Sequence, residues 1–413
     1  MVDVSKKGPA GAPARTGGRV RRASLQRAKA LLARIPLVDG HNDLPWVIRN
    51  DAVARGDVAA FGLEKRRNSG DTDIPRLREG GVAAQWWAAF MPARIDKPGR
   101  AILEQIDLIH RMHALHADVF LPATKAADIA RAKRLGKIAS FIAIEGGVGL
   151  DNSIEVLRIW HRLGARLMTL CHNETLDWVD SATDAPRSGG LSPFGRLVVG
   201  ELNRLGMLVD LAHVAPSVMR QVLDVSRAPV VFSHSNALAL CSHPRNVPDD
   251  VLDRMRANGG LIMATFVPKF LVEPRRDWER ALEDPRGAFD FRTPLGEQTQ
   301  AHAARTGAMP RATVQDVADH ICYVADRAGI AHVGIGSDFF GGPTVDGLEH
   351  VGCYPVLLAE LIERGWSDAA LAGLMSGNFI RVFRAVERVG RGLSADAHSP
   401  IGRADAMPAT TEG

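Results

Sequence analysis

Residues 138–172, IASFIAIEGGVGLDNSIEVLRIWHRLGARLMTLCH, contain two short apolar runs on either side of an amphipathic stretch. The runs at 138–144 and 165–170 are rich in Ile, Leu, Met and Ala, as expected for strands buried on both faces. Between them, residues 153–163 have helical spacing and end at Gly164, a residue typical of a helix C-cap. This pattern predicts two parallel strands joined by a helix.

The same unit recurs along the chain. Eight strand-then-helix units favour a closed (β/α)8 barrel of the TIM type over an open doubly wound sheet, which would carry a Gly-rich phosphate turn after its first strand. Two long connections, 44–79 and 267–312, predict an extended loop region over the active-site mouth. The apolar runs are 35–39, 82–90, 138–144, 165–170, 207–211, 229–233, 261–266 and 333–337, and the further amphipathic stretches are 101–116, 193–205, 215–226, 248–258 and 313–328.

Composition sets the domain boundaries. The 413 residues are 46% hydrophobic and 24% charged, as in an ordinary globular protein. Residues 1–30 hold eight Lys or Arg against one acid, although the whole chain is only +4. The remainder is slightly acidic and gives no sign of a nucleic-acid surface. We predict a basic disordered tail at 1–24, a barrel domain at 25–390 and a flexible C-terminal tail at 391–413.

The sequence also bears on cellular location. No apolar run approaches the ~18 residues that span a bilayer, and no apolar segment follows the basic N-terminus. The four cysteines are far apart and lack a C-x-x-C spacing. We therefore expect free thiols, no membrane anchor and a cytoplasmic protein.

Polar side chains with metal-binding chemistry follow most of the predicted strands. Active-site groups of such barrels lie at the carboxyl ends of the strands, so we expect these side chains to share one mouth. Residues two apart on a strand face the same side, so His41 and Asp43 both reach the mouth. One histidine alone is more often structural, but the set at six strand ends predicts a metal site. The potential ligands are His41, Asp43, Glu145, His213 and His234, and His172, Asp210 and Asp338 are further polar residues at strand ends.

The donor types indicate which metal to expect. Nitrogen and oxygen donors without thiolate suit Zn²⁺, with Mn²⁺ or Co²⁺ as alternatives. A carboxylate such as Glu145 can bridge two ions about 3.5–4 Å apart. His110, His113 and His116 are a second histidine group, but they drift around a helix and have no carboxylate among them. We interpret them as a solvated helix face.

Ten motifs, in order along residues 38–379, resemble the membrane or renal dipeptidase family of zinc peptidases, peptidase family M19, which are amidohydrolase-type barrels. The resemblance covers nearly the whole body of the chain, and its motifs are long and specific. They are VDGHNDLP (38–45), DIPRLREGGV (73–82), IEGG (144–147), LSPFG (191–195), LNRLG (202–206), DLAHV (210–214), PVVFSHS (229–235), RNVPDD (245–250), GSDF (336–339) and GNF (377–379).

The resemblance implies a two-zinc dipeptidase acting on dipeptides with a free C-terminal carboxylate, and a homodimer. By resemblance, His41, Asp43 and Glu145 hold one ion, and Glu145, His213 and His234 hold the other. It further implies that His172 contacts the substrate carbonyl oxygen, that Arg245 binds the substrate carboxylate, and that Asp338 handles protons near the substrate amine. Without the resemblance, Arg245 could pair with Asp249, His172 could be structural, and Asp338 could orient a ligand.

The sequence departs from the family pattern at Phe340, His350 and Val267, which puts the substrate preference in doubt, including tolerance of a D-residue at the C-terminal position. Two alternatives therefore stay open. One is a family member that acts on another amide or a peptide-derived metabolite at the same metal site. The other is a non-catalytic protein whose basic tail docks on an acidic surface.

Overall fold

The computed structural model describes residues 20–92, 94–281 and 295–395. These ranges contain nine parallel strands in one sheet. The strands are β1 (Leu37–Asn42), β2 (Val82–Phe90), β3 (Phe120–Pro122), β4 (Ile138–Glu145), β5 (Ala165–Thr169), β6 (Leu208–Asp210), β7 (Val231–Phe232), β8 (Leu261–Ala264) and β9 (Val333–Ile335).

Eight of these strands form the barrel, in the order β1-β2-β4-β5-β6-β7-β8-β9. The seam between the last and first strands is joined beyond β9, where the Asp43 amide donates to the Phe339 carbonyl (3.0 Å) and the Asp338 amide donates to the His41 carbonyl (3.2 Å). The predicted (β/α)8 fold is therefore confirmed.

The ninth strand, β3, was not predicted. It pairs with the first three residues of β4, away from the main strand order. Its sequence is only Phe-Leu-Pro, which is too short to stand out as an apolar run, and its proline has no amide hydrogen to donate to a ladder.

Helices follow most strands and cover the outside of the barrel. Their ends carry the expected local signals, such as Ser192, whose side chain accepts from the Gly195 amide, and Gly206, left-handed after the same helix. The helices are α1 (Arg22–Arg34), α2 (Leu44–Asn50), α3 (Val58–Phe61), α4 (Ile74–Glu79), α5 (Pro98–Leu115), α6 (Ala126–Arg134), α7 (Ile154–Arg162), α8 (Pro193–Leu205), α9 (Pro216–Val225), α10 (Asp249–Asn258), α11 (Glu273–Arg280), α12 (Leu295–Thr306), α13 (Val314–Ala328), α14 (Tyr354–Glu363), α15 (Asp368–Ala372) and α16 (Asn378–Ala395).

Aromatic side chains fill the inside of the barrel. Trp86 of β2 stacks on Phe141 of β4, with ring centroids 4.4 Å apart and an interplanar angle of 9°. Phe379 and Phe383 of α16 contact the edge of the same tryptophan ring. Because Asn378, which begins α16, donates to the carbonyl of Val333 at the start of β9, the helix covers the amino-terminal end of the barrel. The opposite, carboxyl end is left for the functional site.

The folded region reaches slightly beyond the predicted boundaries. Helix α1 begins at Arg22, inside the segment assigned to the tail, because its Ala and Leu residues at helical spacing are buried and Arg27 pairs with Asp368. Helix α16 continues to Ala395, past the predicted end at residue 390. The rest of both predicted tails, 1–19 and 396–413, lies outside the described residues.

The structure corrects two further expectations from the sequence. The long connections contain helices, α2 to α4 in 44–79 and α11 and α12 in 267–312, although residues 282–294 lie outside the described residues. The interpretation of His110, His113 and His116 as a solvated face is wrong for the last two, which are only 6% and 7% exposed. His113 Nε2 lies 2.7 Å from Ser140 Oγ, so this face of α5 packs on β4. No helix among the described residues is long and apolar enough to cross a membrane.

Candidate metal centre

Five metal-binding side chains meet at the carboxyl ends of four barrel strands. His41 lies near the end of β1 and Asp43 directly follows it, while Glu145 is the last residue of β4. His213 and His234 lie in the turns after β6 and β7. None of the five is more than 6% exposed, so their donor atoms are shielded from solvent.

Glu145 lies between two groups of imidazoles. Its Oε2 atom is 3.2 Å from His41 Nε2. Its Oε1 atom is 3.1 Å from His213 Nε2 and 3.5 Å from His234 Nε2. The two oxygens of one carboxylate therefore contact different imidazoles, as a bridging ligand requires, while the rings of His41 and His234 also lie close together, with centroids 3.9 Å apart.

The spacing of the donor atoms fits a coordinated cation. Two ligands bound tetrahedrally to zinc at about 2.0–2.1 Å lie about 3.3 Å from each other. His41 Nε2 is 3.5 Å from Asp43 Oδ1, and the Nε2 atoms of His213 and His234 are 2.9 Å apart. Neither nitrogen of His41, nor Asp43 Oδ1, has a hydrogen bond of normal geometry among the described residues. Buried donors without partners, at this spacing, fit a metal ion.

The charges in the cluster also fit a bound cation. Burial alone would lower the pKa of His41, but the carboxylates of Glu145 and Asp43 outweigh it and raise that pKa well above its usual value. Burial raises the pKa of Asp338, and the nearby carboxylates of Asp43 and Glu145 raise it further. The carboxylates thus favour a positive charge on the His41 ring, the kind of charge that a metal ion supplies.

The opposite half of the cluster holds neutral rings. Burial holds the pKa values of His213 and His234 well below the usual value, and the Arg245 charge contributes to both. Burial and the same arginine lower the pKa of His172 to about 3. A histidine coordinates metal as the neutral imidazole, so these rings are in the binding form.

His172 and Asp338 border the cluster on different sides. His172 Nε2 is 3.9 Å from Glu145 Oε1, and its ring lies 4.5 Å from that of Phe90. Asp338 Oδ1 is 3.8 Å from His41 Nε2. Each of the two has donor atoms within 4.8 Å of two predicted ligands, so both belong to the same polar pocket.

Arg245 is buried close to His234. Its guanidinium donates to the His234 carbonyl (3.2 Å) and to Ser235 Oγ (3.4 Å), and only 2% of the residue is exposed. Its Nε atom has no hydrogen-bond partner among the described residues. Asp249, the alternative partner considered from sequence, instead accepts from the Tyr323 hydroxyl. A buried guanidinium with an unused donor is suited to an anionic ligand.

Backbone strain accompanies two site residues. His213 and Asp338 have φ angles of 69° and 64°, in the left-handed region that non-glycine residues rarely adopt. Such conformations persist where surrounding contacts hold them, and they are frequent at functional sites. His and Asp are among the non-glycine residues that adopt this conformation most often, but residue type alone does not single out these two positions.

The three departures from the family pattern have different surroundings. Phe340 packs against Gly70, and its amide donates to Asp71 (3.1 Å), so it joins the turn after β9 to the long β1 connection. His350 Nδ1 accepts from the Gly352 amide (3.0 Å), which is a local turn contact. Val267 is buried beside Gly342.

Four further residues support the site; the sequence singled out Asp210 among them only as a strand-end acid, although three of the four lie in the quoted motifs. Asn173 Oδ1 accepts from His213 Nδ1 at 3.2 Å. Asp39 and Asp210, in β1 and β6, bind the serines that precede Asp338 and His234. For Asp39 and Asp210, the signal in the sequence is an acidic residue two or three positions before a predicted ligand. The four are Asn173, Asp39, Asp210 and Ser233.

Comparison with known proteins covers most of the chain. Residues 25–397 match the sequence model of the family described as membrane dipeptidase, peptidase family M19. Dipeptidase aclJ of Aspergillus oryzae is 38% identical over 381 residues, 88% of this chain and 81% of that protein. Human dipeptidase 3 is 38% identical over 384 residues, 91% of this chain and 70% of that protein. The crystal structure of the probable dipeptidase PvdM of Pseudomonas aeruginosa has a TM-score of 0.79 at 26% identity, covering 89% of this chain and 99% of that one.

Proposed function

This chain belongs to the membrane dipeptidase family, peptidase family M19, and is a metal-dependent dipeptidase; from that premise we propose that it uses two zinc ions to hydrolyse dipeptides with a free C-terminal carboxylate. The observation that carries the proposal is the position of Glu145. Its two oxygens face His41 on one side and His213 and His234 on the other, all within 3.5 Å.

The residues that would hold the metals divide into two sets that share Glu145. His41 and Asp43 complete one set, and His213 and His234 complete the other. Zinc held by these residues would supply a bound water of lowered pKa and a Lewis acid for the scissile carbonyl. All the predicted donors are nitrogen or oxygen, which suits Zn²⁺ and also admits Mn²⁺ or Co²⁺.

Three further side chains would bind and orient the substrate. Arg245, buried and with an unused donor, pairs with the terminal carboxylate of the dipeptide. His172 is held neutral, so the nitrogen that faces the site can carry a hydrogen and donate it to the carbonyl oxygen of the scissile bond. Asp338 borders the His41 side of the pocket, where it can receive a proton and pass it to the departing amine.

The test combines metal content with turnover. We expect about two zinc ions per chain by elemental analysis, and hydrolysis of small L-L dipeptides. The Glu145→Gln variant should lose both, whereas Glu104→Gln, which removes an exposed carboxylate paired with Arg49 and Arg100, should keep both. Two ions without turnover of any dipeptide would redirect the proposal to another amide. No bound metal after zinc reconstitution would refute the mechanism.

The same turnover experiment tests which dipeptides the enzyme accepts, a point that the sequence leaves open. An L-D dipeptide panel with matched side chains tests whether a D-residue is accepted at the C-terminal position. We further propose a cytoplasmic location, supported by the four free cysteines, and a homodimer, supported by the family resemblance. Cell fractionation and analytical ultracentrifugation test these two points.

A further inference from the structure

Asp210 and Ser233 form a hydrogen-bonded pair across the β6–β7 seam, directly below the metal cluster. The Ser233 amide donates to Asp210 Oδ1 at 2.8 Å, and the Ser233 hydroxyl donates to Asp210 Oδ2 at 2.6 Å. Both residues are completely buried. The aspartate therefore fixes the serine through its backbone and its side chain together.

Asp210 can act only as an acceptor in this position. Besides Ser233, the Thr169 hydroxyl donates to its Oδ2 atom (2.6 Å) and the Ala212 amide donates to its Oδ1 atom (3.1 Å). The two amides donate to Oδ1, and a carboxylate in its ordinary charged form carries no hydrogen, so the hydrogen between Ser233 Oγ and Asp210 Oδ2 is that of the serine hydroxyl. The Ser233 hydroxyl consequently donates its hydrogen to Asp210.

The direction of this hydrogen bond determines which ring nitrogen of the neighbouring ligand, His234, carries the hydrogen. Ser233 Oγ lies 2.8 Å from His234 Nδ1. Because the hydroxyl hydrogen already points to Asp210, the serine oxygen can only accept from the ring, so Nδ1 must carry the hydrogen. The lone pair of the neutral imidazole is then on Nε2, the atom that faces Glu145 and His213.

We propose that Asp210 and Ser233 are positioning residues that hold His234 in its metal-binding tautomer and orientation. The inference rests on the metal site of the proposed function. It adds a row of hydrogen bonds that runs from the Asp210 carboxylate through the Ser233 hydroxyl to the imidazole of His234. Partners of this kind commonly change metal affinity by about 10- to 100-fold when they are removed.

A second aspartate–serine pair provides a matched control. Across the β9–β1 seam, Asp39 accepts from the Ser337 amide (2.8 Å) and hydroxyl (2.7 Å), as Asp210 does from Ser233. The Ser337 hydroxyl also lies 3.3 Å from the His41 carbonyl and within hydrogen-bond reach of the Tyr354 hydroxyl, and neither is a ligand ring. Ser337→Ala thus removes the same serine–aspartate bond without taking an acceptor from a ligand ring.

The test measures zinc dissociation constants by chelator competition on the full chain. We expect Ser233→Ala to weaken zinc binding about 10- to 100-fold, and Ser337→Ala to change it less than about threefold. Ser233→Thr keeps the hydroxyl and should restore most of the affinity. In Asp210→Asn the new amide can donate to Ser233, which frees the serine hydroxyl to donate to Nδ1, and zinc binding should weaken as well.

A spectroscopic readout separates positioning from general destabilisation. With ring-¹⁵N histidine and zinc bound, the His234 Nδ1–H resonance should show a strong hydrogen bond in the wild type and lose it in Ser233→Ala. Unchanged affinity and resonance in Ser233→Ala, or equal affinity losses in Ser233→Ala and Ser337→Ala, would overturn the inference. If the wild type itself binds no zinc, the proposed function fails, which is a separate result.

Discussion

The Nε2 atoms of His213 and His234 lie 2.9 Å apart, while the Nδ1 atoms of the two rings face the oxygens of Asn173 and Ser233. When each Nδ1 carries a hydrogen, the lone pairs of the two Nε2 atoms point at each other. That contact is unfavourable unless a cation lies between them. Metal binding therefore relieves a repulsion between the two rings that the fold imposes.

Metal removal should therefore lower stability. Free zinc about 1,000-fold above its dissociation constant adds about 4 kcal/mol to the free energy of unfolding, if the unfolded chain does not bind it. We expect dialysis against a chelator to lower the Tm by at least about 3 °C, and zinc to restore it. Scanning calorimetry of both forms checks this, and equal Tm values would contradict it.

Replacing the buried arginine tests carboxylate recognition. Arg245→Lys keeps the charge but loses the planar pair of donors, and removing such a buried contact costs about 2–5 kcal/mol. We expect kcat/KM for a dipeptide to fall at least about 30-fold, and hydrolysis of the same dipeptide with an amidated C-terminus to change little. Arg220→Lys, in an exposed pair with Asp250, is the control. Equal losses on both substrates would argue against this role.

The base of the barrel should affect stability without affecting the metal site. Phe383 is fully buried, and its ring lies 5.7 Å from Trp86 and 5.9 Å from Phe141. Phe383→Ala should reduce the free energy of unfolding by about 3–5 kcal/mol. Leu135→Ala, at a residue that is 55% exposed, should have a much smaller effect. Chemical denaturation measures both, and the folded Phe383→Ala protein should still bind zinc.

The sequence was most informative where chemistry and periodicity coincide. His41, Glu145 and His234 were predicted to share a site because polar residues at the ends of apolar runs must meet at one mouth of a barrel, and the structure brings them within 3.5 Å of Glu145. The burial of His113 was missed, because helical spacing alone does not show how wide the packed face of a helix is.

Relationships between strands could not be read from one sequence. Ser233 is an ordinary residue before a ligand until the register of β6 and β7 places Asp210 beside it. Asp338 likewise combines a left-handed conformation with a hydrogen bond from its amide to the His41 carbonyl of β1, a contact that its residue type alone does not predict. Such features depend on contacts between residues far apart in the chain.

Acid should destabilise the protein partly through His320. Its Nδ1 atom accepts from the Ala237 amide and its Nε2 atom donates to the Leu271 carbonyl, and burial lowers its pKa to about 4. The unfolded histidine titrates near 6.5, so between these values the unfolded state binds more protons. Stability is therefore complete above about pH 6.5 and falls as the pH drops towards 4, by roughly 3 kcal/mol in total.

The variant His320→Gln isolates this contribution, because glutamine can donate and accept but does not titrate. We expect the loss of unfolding free energy between pH 7 and pH 5 to be about 2 kcal/mol smaller in the variant than in the wild type. Urea denaturation at the two pH values measures it. An identical pH dependence would mean that His320 is not the group responsible.

Two adjacent glycines offer a sharp test of the site geometry. A Cβ atom at Gly341 would collide with the carboxylate of Asp338 and lie 3.0 Å from Asp43 Oδ2, whereas a Cβ at Gly342 would only touch Val267, at 3.4 Å. Small displacements of reacting groups cost about 100-fold in rate. We therefore expect Gly341→Ala to lower kcat/KM by about that factor, with a folded barrel and little change in Tm, because the turn lies at the open end of the barrel. Gly342→Ala should keep nearly full activity. If both variants retain activity, Asp338 and Asp43 need not be held where the structure places them, and the assigned roles of these carboxylates would have to be revised.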